Sequence, residues 1–104
     1  MNKQDYFDQE IISTVKEMIA KFGEDSQIDV AVEEMSELIK ELIKYKRAKI
    51  HENDKKNSRL EHVLEEIGDV MLMIESLKVI FDLTDEDIKE IVFKKAKRTR
   101  ERYL

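Results

Sequence analysis

The chain has 104 residues, 41% charged and 41% hydrophobic, with a formal net charge of -5, two glycines, no proline and no cysteine. That balance is too apolar for disorder, and so few turn residues argue against a strand-rich fold. Without cysteine there are no disulfides, no thiolate metal sites and no thiol catalysis.

Helix one is predicted over residues 5–22, where Phe7, Ile11, Val15, Met18 and Phe22, joined by Ile12 and Ile19, form one apolar stripe. Gly23 follows as a stop. Helix two is predicted over 26–47, capped by Asp25 or Ser26. Its apolar stripe is Ile28, Ala31, Met35, Leu38, Ile39 and Leu42, and Gln27, Val30, Glu34, Glu37 and Glu41 fall on an adjoining band. The polar stretch "AKIHENDKKN" (48–57) reads as a long loop. Helix three is predicted over 58–81, opening on Ser58 with Glu61 three residues on, a capping-box pattern. Its stripe is Leu60, Val63, Leu64, Ile67, Val70, Met71, Ile74 and Phe81, flanked by Glu66 and Asp69 with His62 nearby. Helix four is predicted over 85–102, behind Thr84 and Asp87. The expected fold is all-α: a single four-helix, bundle-like domain spanning 1–104.

No apolar segment approaches the ~18 residues of a membrane span. The opening "MNKQDYFDQE" lacks a signal-type apolar run. A cytoplasmic protein without a membrane partner is expected. The tail "KKAKRTRERYL" (94–104) carries six basic residues and one acid, so the rest of the chain is strongly acidic. This asymmetry does not suit nucleic-acid binding, which needs a basic face spread over the domain. "VMLMI" (70–74) is apolar on every side of helix three. A helix of that kind is buried all round, which implies a homodimer or homotetramer. Gly68 costs helix stability of ~1 kcal/mol, for which close approach of another backbone is the expected return.

Glu34 and Glu37 stand at i and i+3 on helix two, as do Glu66 and Asp69 on helix three. If the two helices are antiparallel neighbours, both pairs face each other, and four carboxylates at close range cannot all stay ionised unaided. A hard cation resolves the repulsion, and all-oxygen ligands favour Mg²⁺, with Mn²⁺ as the alternative. A ferritin-like site would need Glu-x-x-His, which neither His51 nor His62 completes. On helix four the face of Ile88, Ile91 and Val92 continues into Lys95, Arg98 and Arg102, side chains suited to phosphate oxygens.

"EEMSE" (33–37) followed by "EIGD" (66–69) resembles the E-E-x-x-E … E-x-x-D signature of the MazG-like, all-α NTP pyrophosphohydrolases. That superfamily also includes dimeric dUTPases and phosphoribosyl-ATP pyrophosphohydrolases. The resemblance covers roughly 20–102 and takes in Gln27, Lys95, Arg98 and Arg102. It implies Mg²⁺ ligation by Glu34, Glu37, Glu66 and Asp69, with Glu33 supporting them or binding a further ion. Glu33 or Glu37 would be the catalytic carboxylate that orients water or takes its proton. Gln27 and His62 would lie beside the base or behind the metal ligands. The implied activity is Mg²⁺-dependent conversion of a (deoxy)nucleoside triphosphate to the monophosphate and pyrophosphate, as nucleotide-pool housekeeping. The alternative is a non-catalytic nucleotide-binding or regulatory helical bundle.

Overall fold

A computed structural model describes residues 2–51 and 55–104. It contains four helices and, among the described residues, no strand: α1 (Lys3–Phe22), α2 (Glu24–Ile50), α3 (Lys55–Ile80) and α4 (Asp85–Tyr103). The described chain is therefore all-α, the class that a proline-free sequence with two glycines favours.

Each helix end has a local cause. Asn2 caps α1, its side-chain oxygen accepting from the Asp5 amide at 2.8 Å. Gly23 alone joins α1 to α2, at φ 92 and ψ 159, a conformation essentially restricted to glycine. The joint is so short that α2 starts at Glu24 with no side-chain cap. The expected caps Asp25 and Ser26 instead lie inside the helix. At the other end α2 continues to Ile50, because Ala48 is buried and extends the packed face. The loop expected over 48–57 is correspondingly shorter, and its centre, 52–54, lies outside the described residues. Since α3 begins at Lys55, Ser58 is internal and the Ser58–Glu61 capping box does not form. Nothing in "KKN" breaks a helix. The box expected at Thr84 does form: Thr84 Oγ1 accepts from the Asp87 amide, and Asp87 accepts from the Thr84 amide.

Helices α2 and α3 form a long hairpin, and α1 packs against both. They are antiparallel: Glu41 faces Arg59 near the connecting end, while Glu34 lies opposite Glu66 and Asp69 further along. Among the described residues the buried apolar ones are few: Val15, Ala31, Ala48, Val63 and Met73. Among the described residues α4 packs against none of the other helices. The four helices are thus a three-helix body plus an outlier. The Cα radius of gyration is 16.9 Å, against about 13 Å for a compact domain of this length. The accessible surface is 8693 Å², about 2,500 Å² more than a compact monomer of this mass exposes.

The inward faces differ from those expected. Of the stripe expected for helix three, Val63 is buried as expected, but Leu60, Leu64, Ile67, Met71 and Phe81 are exposed, whereas Met73 and Ser76, outside the stripe, are buried. On α2 Met35, Ile39 and Leu42 are exposed, while Gln27 and Ala31 are buried and Glu34, Glu37 and Glu41 are half-buried. The hairpin closes partly on its acidic band and leaves much of its apolar stripes exposed, while Ala31 and Val63 of those stripes stay buried. In "VMLMI" only Met73 is buried; Met71 and Leu72 are exposed. A Cβ on Gly68 would meet nothing within 4 Å. The close backbone approach expected there is absent from the single chain. No described helix is long and apolar enough to cross a membrane.

Candidate metal centre

The antiparallel hairpin sets Glu34 on α2 against Glu66 and Asp69 on α3. Each offers a carboxylate oxygen, and these oxygens all lie within 4.8 Å of one another. Burial pushes the Glu34 carboxyl above its ordinary value, and the neighbouring charges and hydrogen bonds of Asp69 and then Glu66 push it the same way. Oε2 of Glu66 is buried without a hydrogen-bond partner. An orphaned carboxylate oxygen inside a crowded acidic cluster is costly unless a cation or proton meets it.

The donor set fits a hard divalent cation. Oxygens on opposite sides of an Mg²⁺ lie about 4 Å apart, twice its ~2.1 Å bond. A cluster already within 4.8 Å closes with small side-chain adjustments.

The other expected site residues are placed unevenly. Glu37 is one turn from Glu34, half-buried and outside the three-acid group, and it accepts from Lys40 at 3.2 Å. The helix phase explains this: 100° per residue carries Glu37 to the flank of the hairpin seam. Glu33 is exposed. His62 is also exposed and is not one of the clustered ligands. Lys95, Arg98 and Arg102 are exposed on α4, and none forms an ion pair among the described residues. The inward face expected for them has no helix of its own chain to meet.

Gln27 is 4% exposed. It lines a cavity of about 210 Å³ together with Met18, Met73 and Ser76, and Glu34 and Asp69 belong to the same lining. Ser76 was not singled out in the sequence. It sits in an apolar run, and nothing local marks it as different from a solvent-facing serine. Glu41 lies on the same acidic band, half-buried. Its Oε2 is buried without a hydrogen-bond partner, with Arg59 Nη1 3.9 Å away.

These features define an all-α hairpin with an acidic cluster beside a small, mostly apolar cavity. No family model, curated protein or solved structure matches the chain.

Proposed function

We propose that this chain is a Mg²⁺-dependent nucleoside triphosphate pyrophosphohydrolase of the MazG-like type, working as a homo-oligomer. One observation carries the reading: Glu34, Glu66 and Asp69 converge across the α2–α3 hairpin next to the cavity lined by Gln27 and Ser76. Acids held together at a cost in repulsion suit a site that neutralises triphosphate through a cation. A small, largely apolar cavity suits a flat base, and the polar side chains of Thr14, Gln27 and Ser76 in its lining suit the base's hydrogen-bonding edge.

Glu34, Glu66 and Asp69 would hold the cation. Bound there, Mg²⁺ supplies charge neutralisation of the phosphates and acidification of water. Glu37 is half-buried and one turn from Glu34, so it is better placed than exposed Glu33 to orient the attacking water and take its proton. Water adds to phosphorus, the α–β anhydride P–O bond breaks, and pyrophosphate leaves with the bonding electrons. Lys95, Arg98 and Arg102 bind phosphate oxygens.

Assembly is part of this reading. Leu60, Leu64, Ile67 and Met71 recur at steps of four, three and four along α3, and Met35, Ile39 and Leu42 at four and three along α2. All are exposed. That spacing makes helix-packing seams, and two such hairpins back to back form a four-helix bundle. The surface excess of about 2,500 Å² matches what obligate interfaces bury.

A panel of canonical and modified NTPs and dNTPs, assayed with Mg²⁺ for pyrophosphate release, tests the activity. Wild type should turn over at least one of them, and Asp69→Asn should abolish turnover while leaving helicity intact. Nucleotide binding without pyrophosphate release would favour the non-catalytic alternative.

A further inference from the structure

We propose that Arg59 and Glu41 are a positioning pair: they set the register of the α2–α3 hairpin, and that register brings Glu34 opposite Glu66 and Asp69.

The seam between the two helices is a ladder with steps of seven. On α2 Gln27, Glu34 and Glu41 follow one another at that spacing, and on α3 so do Arg59, Glu66 and Met73. All six are buried or half-buried. The antiparallel hairpin joins them in three rungs. Gln27 and Met73 line one cavity, the Glu34 and Glu66 carboxylates converge, and Arg59 Nη1 lies 3.9 Å from Glu41 Oε2. A seven-residue repeat on both partners is the pattern of a coiled-coil seam. By the same register Leu38 and Val63 share the layer between the second and third rungs.

Such a repeat does not choose its own register. Sliding one helix by seven residues, about 10.5 Å, sets stripe against stripe again. One slide would bring Arg59 to Glu34, but it places the turn inside α2, ahead of buried Ala48, and strips that residue from the seam. The opposite slide places the turn between Ile50 and Lys55, where the two helices already part. Chain connectivity therefore leaves that second register as the competitor. In it Glu41 replaces Glu34 beside Glu66 and Asp69, Glu34 moves to Met73, and Arg59 is left at Ala48.

Charge tells the two registers apart. Among the described residues the Arg59–Glu41 pair is the one ion pair that spans α2 and α3. The observed register has this attraction, and the shifted one lacks it and adds Glu41 to the acids. Glu41 is held in the seam at a cost, because its Oε2 is buried without a hydrogen-bond partner. A polar residue at one seam position that trades stability for register is a known use of such groups. Here the register gained is the one that puts the acids beside the cavity of Gln27.

Disulfide trapping tests the register directly, because the chain has no native cysteine. One chain carries Leu38→Cys, Val63→Cys and Val70→Cys, and the bridge that forms on mild oxidation within a monomer is mapped by peptide mass. Cysteines bridge only when their Cα atoms are within about 7 Å, so positions 63 and 70, two helical turns apart, cannot both reach position 38. With Arg59 present, 38 should bridge to 63. Arg59→Glu replaces the attraction with repulsion and should raise bridging to 70 at least several-fold at the expense of 63. Arg59→Lys keeps the charge and should keep the wild-type partition. Arg59→Ala should shift the partition in the direction of Arg59→Glu by less, so the test holds even where charge reversal unfolds the chain. An unchanged partition in the glutamate and alanine variants overturns the proposal. A second readout uses Mn²⁺, followed by the signal of the free ion in electron paramagnetic resonance, and rests on the acidic cluster being a cation site. Glu34→Gln should weaken Mn²⁺ binding roughly ten-fold in the wild-type background and leave it unchanged in the Arg59→Glu background, where Glu41 has taken its place. An equal loss in both backgrounds overturns the proposal. The disulfide partition needs neither metal nor turnover, so it decides the register even where the pyrophosphohydrolase reading fails.

Discussion

Replacing Glu66 with glutamine removes one charge from the three-acid cluster and keeps the shape of the side chain. Two unit charges 4.8 Å apart repel by about 3.5 kcal/mol at an effective dielectric of 20 and by about 0.9 kcal/mol in water. Asp69 is exposed, so its pairs belong near the lower figure. Glu66→Gln deletes two of the three pairwise repulsions and gives the site an amide donor. Without metal, the variant should therefore be more stable than wild type by about 1–3 kcal/mol, roughly 4–12 °C in Tm for a chain near this size. With Mg²⁺ at a hundred times its Kd, wild type gains about 2.7 kcal/mol, and the variant should lose most of that gain. The order of melting temperatures should thus narrow or invert on adding Mg²⁺. The assay is thermal unfolding followed by circular dichroism at fixed protein concentration and ionic strength, with EDTA or Mg²⁺. A variant that melts below wild type in EDTA, or keeps the full Mg²⁺ shift, would refute the account of a strained, cation-binding cluster.

Raising the pH should weaken the metal-free protein and strengthen metal binding. The folded-state pKa of Glu34 lies above its unfolded value near 4.5, so its contribution is fully present below that pH and is lost as pH rises through the raised value. Melts in EDTA between pH 4.5 and 7 should show this fall, and the Mg²⁺-induced shift should grow over the same range. Met71→Lys and Leu64→Lys change side chains that the single chain leaves exposed; light scattering should show a smaller particle for both while helicity is retained, and an unchanged mass would show that the α3 stripe is not an interface. Gln27→Ala should raise the KM for the preferred nucleotide by up to about ten-fold, the loss of one hydrogen bond, with little change in kcat. An equal rise for every nucleotide tested would mean that Gln27 does not read the base.

How much was legible follows from which forces are local. Helix existence was written in the chain, because apolar spacing, the lack of proline and the Thr84–Asp87 cap all act within a few residues. Gly23 was legible as a stop for the same reason. The acids were legible as two i, i+3 pairs, and the antiparallel hairpin brings Glu34 to Glu66 and Asp69. Glu37 lies outside the three-acid group, because equal sequence spacing does not give equal distance to the opposite helix.

The sequence by itself could not say which face of each helix is inward. Its α2 and α3 carry two usable faces, one apolar and one acidic, and periodicity ranks the apolar face first. The tertiary structure divided the two, burying Ala31 and Val63 of the apolar stripes together with Gln27, Met73 and Ser76 from outside them, and leaving Met35, Ile39, Leu64 and Met71 exposed. The placing of α4 was equally hidden. The elbow from Lys78 to Asp87 combines a Schellman turn, a cap and an ion pair whose joint direction exists only in three dimensions. Local periodicity specifies that a helix forms and which stripes it offers. What meets those stripes depends on the angles between helices, and that is decided by packing.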